Sequence, residues 1–113
     1  MSKQPETLFK ERVAKKLKAY PNVYAIKVQQ VSKIGDPDFL LCVSGWFVAW
    51  ELKVNKNKAT KLQAHKLEMI KQSGGIARVV TPENLDECLK EIECLLSYSK
   101  KLNDGGTTGH TQQ

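Results

Sequence analysis

The length and composition describe one globular domain. The chain has 113 residues, enough for a single apolar core, and its 41% hydrophobic and 27% charged residues are ordinary for a soluble protein. The longest apolar run, Trp46 to Trp50, is far shorter than the roughly 20 residues of a membrane-spanning helix. The lysine-rich beginning of the chain also lacks the apolar block of a signal peptide. We therefore expect a cytoplasmic domain that does not contact a membrane.

Positive charge is concentrated in two segments. The net charge is +6, and six basic residues lie in each of the segments Lys3 to Lys18 and Lys53 to Lys71. Glu83 to Glu93 instead holds five acids and one lysine, a separation that favours a polyanion-binding side. Only two of the eighteen basic residues are arginine. Because lysine meets phosphate as a point charge, we expect contacts to a nucleic-acid backbone rather than base-specific recognition.

The first predicted element is a helix that begins at Pro5 and ends before Pro21. Its apolar positions recur at helical spacing: Phe9, Val13, Leu17 and Tyr20. Glu6 lies one turn before Phe9 on the apolar side, whereas Glu11 points away from it. Glu6 can therefore face inward, although an acid at a helix start also complements the helix dipole.

Two strands are predicted next, over 23–31 and 39–43. The first alternates, with Tyr24, Ile26 and Val28 on one face, which is typical of a half-buried strand. The loop that follows is marked by Gly35 and Pro37. The second strand is apolar on both faces, so we expect it in the interior of a sheet.

A third strand is predicted over 46–54, joined to the second by a tight turn. Ser44-Gly45 is the turn signal, so the two strands form a hairpin. Alternation within the third strand places Glu51 and Lys53 side by side on one face.

The last third of the chain predicts a helix over 60–73, a strand over 76–80 and a final helix from 81–83 onward. We expect Leu62, Met69 and Ile70 to point inward from the first of these helices, and a parallel crossover to connect the third and fourth strands. The final helix carries an apolar stripe that Cys88 and Leu95 widen: Leu85, Leu89, Ile92 and Leu96. The wider stripe predicts either additional core or a dimer contact. We place the domain at 1–98 and interpret 99–113 as a disordered tail.

The cysteines and histidines give no metal-binding pattern. Cys42, Cys88 and Cys94 are an odd set without C-x-x-C spacing in apolar contexts, which predicts buried reduced thiols. His65 and His110 match no metal-ligand spacing, and we interpret both as surface residues.

The hairpin brings two carboxylates together. Asp38 lies six residues before Ser44 and Glu51 six residues after Gly45, so regular pairing sets them opposite each other with β-carbons roughly 5 Å apart. Opposed carboxylates repel and are costly to desolvate, which predicts cations beside them. Lys53 supplies one, and a divalent ion with oxygen ligands, Mg²⁺ or Mn²⁺, would supply the rest.

These residues resemble a known signature. Pro37-Asp38 followed by Glu51-Leu52-Lys53 is similar to the motif of PD-(D/E)XK nucleases. The run Gly35 to Asp38, the helical Gln63 and Gly74-Gly75-Ile76 resemble the VRR-NUC branch, including its small stand-alone phage members. The resemblance covers about Glu6 to Val80 and implies an α/β fold with a restriction-endonuclease-like αβββαβ core, a mixed sheet flanked by helices, here extended by a C-terminal helix.

The resemblance also implies roles for individual residues. Asp38 and Glu51 would bind Mg²⁺ or Mn²⁺, with the Leu52 carbonyl and Glu6 as further ligands, although Glu11 competes with Glu6 by sequence. Lys53 would position or deprotonate the attacking water, and Gln63 would lie beside the site. Asp36 is either a spare ligand or a loop carboxylate. The expected nucleic-acid contacts are Lys33, Lys56, Lys58 and Lys61.

The function that this resemblance implies is metal-dependent hydrolysis of DNA phosphodiester bonds. A homodimer acting on branched DNA, as a Holliday junction resolvase does, is expected, in the cytoplasm or, for a phage protein, in the host cytoplasm. Two alternatives stay open: a restriction- or repair-type nuclease acting on duplex or flap DNA, and a non-catalytic nucleic-acid-binding protein with the same fold.

Overall fold

The computed structural model describes residues 3–29 and 35–104. Seven elements follow one another in the order that the sequence predicts, with a final helix after the αβββαβ core: α1 (Pro5–Lys18), β1 (Val23–Lys27), β2 (Phe39–Val43), β3 (Trp46–Leu52), α2 (Lys61–Gln72), β4 (Ile76–Val80) and α3 (Leu85–Asp104). None of the helices in this part of the chain is long and apolar enough to cross a bilayer.

The four strands form one mixed sheet in the order β1-β2-β3-β4. The first three are antiparallel neighbours, and β4 pairs parallel to β3, as the intervening helix predicts. Ser44 and Gly45 have φ values of 51° and 87°, the positive pair that a two-residue type I′ turn requires. This turn fixes the register of the β2–β3 hairpin, in which Phe39 lies opposite Trp50.

The main core lies between one face of the sheet and two helices. The buried residues of this core come from α1, α3, alternate positions of β2 and β3, and the end of β4: Phe9, Val13, Leu17, Phe39, Leu41, Val43, Val48, Trp50, Leu52, Val80, Leu85, Cys88, Leu89 and Ile92. Leu95 and Leu96 are partly buried against the same cluster. The wide stripe of α3 is therefore additional core, the first of its two predicted explanations.

Helix α2 covers only part of the opposite face. It packs against β3 and β4, and its buried side chain is Leu67, whereas the predicted inward residues Leu62 and Met69 are 43% and 53% exposed. The prediction was wrong because α2 turns Leu67 and the half-buried Ile70 towards the sheet, and Leu62 and Met69 lie roughly 140° and 200° around the helix from Leu67.

The β1–β2 half of that face stays open. Tyr24 and Ile26 are 70% and 47% exposed, so β1 is not the half-buried strand that its alternation predicts. Pairing sets Tyr24 beside Cys42, and Cys42 beside Phe47, and all three side chains are exposed. The alternation correctly separates two faces, but no helix in the described part of the chain covers this one.

Several other boundaries and burials differ from expectation. Strand β1 ends at Lys27, and β3 ends at Leu52 because a turn from Val54 to Asn57 follows it. Helix α3 continues to Asp104, so 99–104 is helical rather than tail, since no glycine or proline interrupts it before Gly105. The remaining tail residues, 105–113, lie outside the described part of the chain.

The thiols are free, but only one of them is buried. Cys88 lies in the core, whereas Cys42 and Cys94 are exposed. Cys42 lies on the open sheet face, and Cys94 lies roughly 200° around α3 from the buried Ile92. The apolar contexts of these two cysteines in sequence therefore led to the wrong prediction, because burial depends on which face a helix or strand turns to its neighbour.

Candidate active site

A cavity of about 380 Å³ opens beside the ends of β2 and β3, next to α1 and the start of α2. It contains the predicted acids, lysine and glutamine in one place: its walls are Glu6, Phe9, Lys10, Val28, Asp38, Glu51, Leu52, Lys53, Val54 and Gln63. The hairpin register that pairs Phe39 with Trp50 continues by one step to set Asp38 opposite Glu51, as the sequence predicts.

Asp38 is fixed by the backbone on both sides. Its Oδ2 accepts a hydrogen bond from the Leu52 N–H at 2.8 Å, and its carbonyl accepts one from the Val28 N–H at 2.8 Å. Its Oδ1 lies 3.1 Å from the Nζ of Lys10. The carboxylate is therefore held in one orientation, with one oxygen bound to β3 and the other bound to a side chain of α1.

Glu51 is the most buried charged group of the site. The residue is 3% exposed, its Oε2 lies 3.4 Å from the Nζ of Lys53, and its Oε1 is buried without a hydrogen-bond partner among the described residues. Burial, and then the charge of Asp38, raise the pKa of Glu51 to about 7 despite the opposing effect of Lys53. The site thus contains an acid that is poorly satisfied by the protein alone.

Lys10 is a residue of the cavity that the sequence analysis did not single out. It lies four residues after Glu6, so the two share a face of α1, and it lines the same cavity. The four-residue spacing between Glu6 and Lys10 could have indicated from the sequence that both face the same site. It was passed over because Lys10 belongs to a lysine-rich segment in which no single residue stands out.

The first-helix acid is distinguished by helical phase. Both glutamates are exposed, but Glu6 lines the cavity, whereas Glu11 pairs with Lys3 at 2.6 Å. Within the described residues no group of three or more His, Cys, Asp and Glu lies close enough to hold a metal ion together. Glu6 therefore faces the site without joining Asp38 and Glu51 in a three-residue cluster.

Gln63 also lines the cavity, but it has a structural role as well. Its Oε1 accepts a hydrogen bond from the Thr60 N–H at 2.9 Å, and the Thr60 Oγ1 accepts one from the Gln63 N–H at 3.1 Å. This capping box begins α2. The position of Gln63 beside the site is therefore tied to the start of the helix that carries it.

None of the other predicted residues that the structure describes lines the cavity. Lys56, Lys58 and Lys61 are exposed on the loop and helix start that follow β3, and Lys33 lies outside the described residues. Asp36 pairs with Lys66 at 2.8 Å. His65 is exposed, as predicted, and His110 lies outside the described part of the chain.

The donor set fits a hard divalent cation. Asp38 and Glu51 offer carboxylate oxygens, the ligands that Mg²⁺ and Mn²⁺ prefer, and Mg²⁺ is bound in many sites by one or two carboxylates with the rest of its shell from water and phosphate. The orphaned Oε1 of Glu51 is an acceptor that such an ion would satisfy. The N–H of Leu52 donates a hydrogen bond to Asp38. The role of the Leu52 carbonyl as a metal ligand stays a prediction.

Two solved structures share this architecture. A VRR_NUC domain matches 81% of this chain and 94% of its own length, with a TM-score of 0.59 and 19% sequence identity. A VRR_NUC domain protein matches 84% of this chain and 93% of its own length, with a TM-score of 0.66 and 16% identity. This chain has the VRR_NUC fold. No family model and no curated protein matches its sequence.

The VRR_NUC fold confirms the predicted restriction-endonuclease-like α/β architecture. It also explains how the site assembles from separate parts of the sequence. The hairpin supplies Asp38 and Glu51, α1 reaches the same end of the sheet with Glu6 and Lys10, and the crossover through α2 brings Gln63 to the cavity wall.

Proposed function

We propose that this chain is an Mg²⁺- or Mn²⁺-dependent endonuclease that hydrolyses DNA phosphodiester bonds, with a preference for branched DNA. The observation that carries the proposal is the buried pair of carboxylates, Asp38 and Glu51, beside Lys53 in a polar cavity. Burying two like charges costs stability, and apolar side chains would serve a purely structural role better. Charge kept in a cleft at that cost favours a catalytic role.

The residues of the cavity divide the chemistry between them. Asp38 and Glu51 would hold the divalent ion, and when bound the ion would polarise the scissile phosphate and lower the pKa of water. Lys53, with its Nζ 3.4 Å from Glu51, would orient the attacking water and stabilise negative charge that develops on the phosphate oxygens. Glu6 and Gln63 form part of the wall around the space in which the water and the phosphate would fit.

DNA is the proposed substrate because basic segments adjoin the cavity. Lys10 of α1 and Lys53 line it directly, and the exposed Lys56, Lys58 and Lys61 follow β3 along the chain. These lysines would contact the phosphate backbone through charge. We propose branched DNA and a homodimer together, since two copies would bring two sites to two strands.

The decisive experiment compares DNA substrates with and without metal. We would incubate the protein with a synthetic four-way junction, a flap, a nicked duplex and a linear duplex, each with Mg²⁺, Mn²⁺ or EDTA. We expect metal-dependent cleavage that is fastest on the junction. Fastest cleavage of the flap or linear duplex would instead favour a repair- or restriction-type nuclease, and binding without cleavage of any substrate would leave a non-catalytic binding protein.

Two variants test the roles of the site residues. We expect Glu51→Gln and Lys53→Ala each to reduce cleavage by at least about a hundredfold while junction binding, measured by gel shift, is retained. Glu11→Gln is the matched control, because Glu11 is an exposed acid of α1 that pairs with Lys3 away from the cavity. Turnover retained by either site variant would remove that residue from the mechanism.

A further inference from the structure

Lys10 occupies the oxygen of Asp38 that faces away from β3. The Nζ of Lys10 lies 3.1 Å from Oδ1, while Oδ2 is engaged by the Leu52 N–H at 2.8 Å. Of the two Asp38 oxygens, Oδ1 is thus the one whose partner is a side chain rather than a backbone N–H. A cation bound at Oδ1 would lie next to the ammonium of Lys10 and would be repelled by it.

The two lysines of the cavity are not equivalent. Lys53 is part of the chain that leaves β3, its side chain is 18% exposed, and its own N–H is bound to the Val80 carbonyl at 2.9 Å. Lys10 reaches in from α1, and its side chain is 34% exposed. Because its flexible four-carbon stem already borders solvent, Lys10 can withdraw its ammonium without exposing core.

We propose that Lys10 is the built-in counter-ion of Asp38 in the metal-free protein and that a divalent cation must displace it to bind. This inference rests on the proposed metal-dependent function and assigns to Lys10 a role that the motif does not contain. In the absence of metal, Lys10 and Lys53 each neutralise one of two opposed carboxylates. A divalent ion at Asp38 replaces the charge of Lys10 and repels its ammonium.

The consequence is that Lys10 lowers the metal affinity of the site and stabilises the metal-free fold. Removing Lys10 should therefore raise the metal affinity and lower the stability of the metal-free protein. The protein without Lys10 should bind metal more tightly but be less stable in EDTA, because Asp38 then has no cationic partner. If Lys10 only packed against the cavity wall, its removal would lower stability equally with and without metal.

The test is a calorimetric titration of Mn²⁺, without DNA, into the wild type, Lys10→Met and Lys10→Arg at low ionic strength. Lys3→Met is the matched control, since Lys3 forms an exposed ion pair with Glu11 and its removal changes the net charge equally. We expect Lys10→Met to bind Mn²⁺ about fivefold more tightly than the wild type, the upper range for a partly exposed ion pair. Lys10→Arg and Lys3→Met should bind as the wild type does.

Thermal unfolding supplies an independent readout. Relative to the wild type, Lys10→Met should melt at a lower temperature in EDTA, and saturating Mn²⁺ should raise its melting temperature by a larger increment. If Lys10→Met does not fold, Lys10→Gln replaces it in both measurements. Equal Mn²⁺ affinity in the wild type and the variant, or an equal gain in Lys3→Met, would overturn this inference alone. Failure of the wild type to bind Mn²⁺ would overturn the proposed metal-dependent function with it.

Discussion

At the scale of single residues, Glu51 is where burial and charge conflict. Its side chain lies inside the protein opposite Asp38, and one of its oxygens has no partner among the described residues. Lys53 compensates part of the charge. The folded protein therefore holds a proton on Glu51 more tightly than the unfolded chain does, and the stability of the domain depends on pH as a result.

We expect Glu51→Gln to stabilise the metal-free protein at neutral to alkaline pH. The pKa of Glu51 is raised from 4.5 to about 7 in the folded state, so its favourable contribution is complete below pH 4.5 and is lost as pH rises through 7. Glutamine does not titrate and keeps its contribution at every pH. The variant should exceed the wild type by about 1–3 kcal/mol in free energy of unfolding near pH 8.

Urea unfolding in EDTA from about pH 5 to about pH 8 measures this difference. The gain should shrink towards zero at the acidic end, where the wild-type carboxyl is protonated. Glu68→Gln, an exposed acid on α2, is the control and should show no pH-dependent gain. A constant difference across the pH range would contradict the explanation by protonation.

At the scale of elements, the sheet is covered unequally. Helices α1 and α3 bury one face almost completely, whereas α2 covers only the β3–β4 half of the other. The exposed side chains next to one another on this face come from β1, β2 and the start of β3, which α2 does not bury: Tyr24, Ile26, Cys42 and Phe47. A contiguous apolar patch of this kind is costly to leave in water, and β1 is also an edge strand of the sheet in the described part of the chain.

The open sheet face is the surface on which we expect the proposed homodimer to form. Tyr24→Lys combined with Ile26→Lys should convert a dimer to a monomer in sedimentation velocity, because both side chains are exposed and the substitutions spare the core. Leu8→Lys, an equally exposed apolar residue of α1, is the control and should leave the dimer intact. A wild type that stays monomeric at every concentration would contradict the homodimer itself.

At the scale of the whole molecule, charge is sorted around the cavity. The two basic segments of the sequence meet there, since α1 and the chain after β3 both contribute to its walls. The acidic segment belongs to α3 and the turn before it, and α3 contributes no described residue to the walls. Basic residues concentrated at the cavity would steer the proposed DNA substrate towards it.

Lys58 and Lys61 should contribute to DNA affinity without affecting chemistry. Replacing both by glutamine should weaken junction binding and reduce the slope of log affinity against log salt by about 2, roughly one for each phosphate that a lysine no longer neutralises. Fluorescence anisotropy over a salt series measures the slope. Lys90→Gln, in the acidic segment of α3, should leave it unchanged. An unchanged slope in the double variant would remove these lysines from the DNA-binding surface.

The sequence by itself determined the order of elements and the geometry of the hairpin. Two-residue periodicity and the Ser44-Gly45 turn are local properties of the chain, so the pairing that sets Asp38 opposite Glu51 follows from counting residues. Helical phase likewise separated Glu6 from Glu11, because a rotation of about 100° per residue is fixed by the backbone. These features need no knowledge of what packs against them.

Only the tertiary structure decided burial and partnership. The exposure of Tyr24, Cys42 and Met69 depends on where α2 crosses the sheet, which no local pattern states. The ion pair between Lys10 and Asp38 joins residues that are far apart in the sequence, and it exists because α1 packs against the sheet with that face towards the hairpin. Local order follows from backbone chemistry, whereas the surroundings of each side chain follow from how helices and sheet share the core.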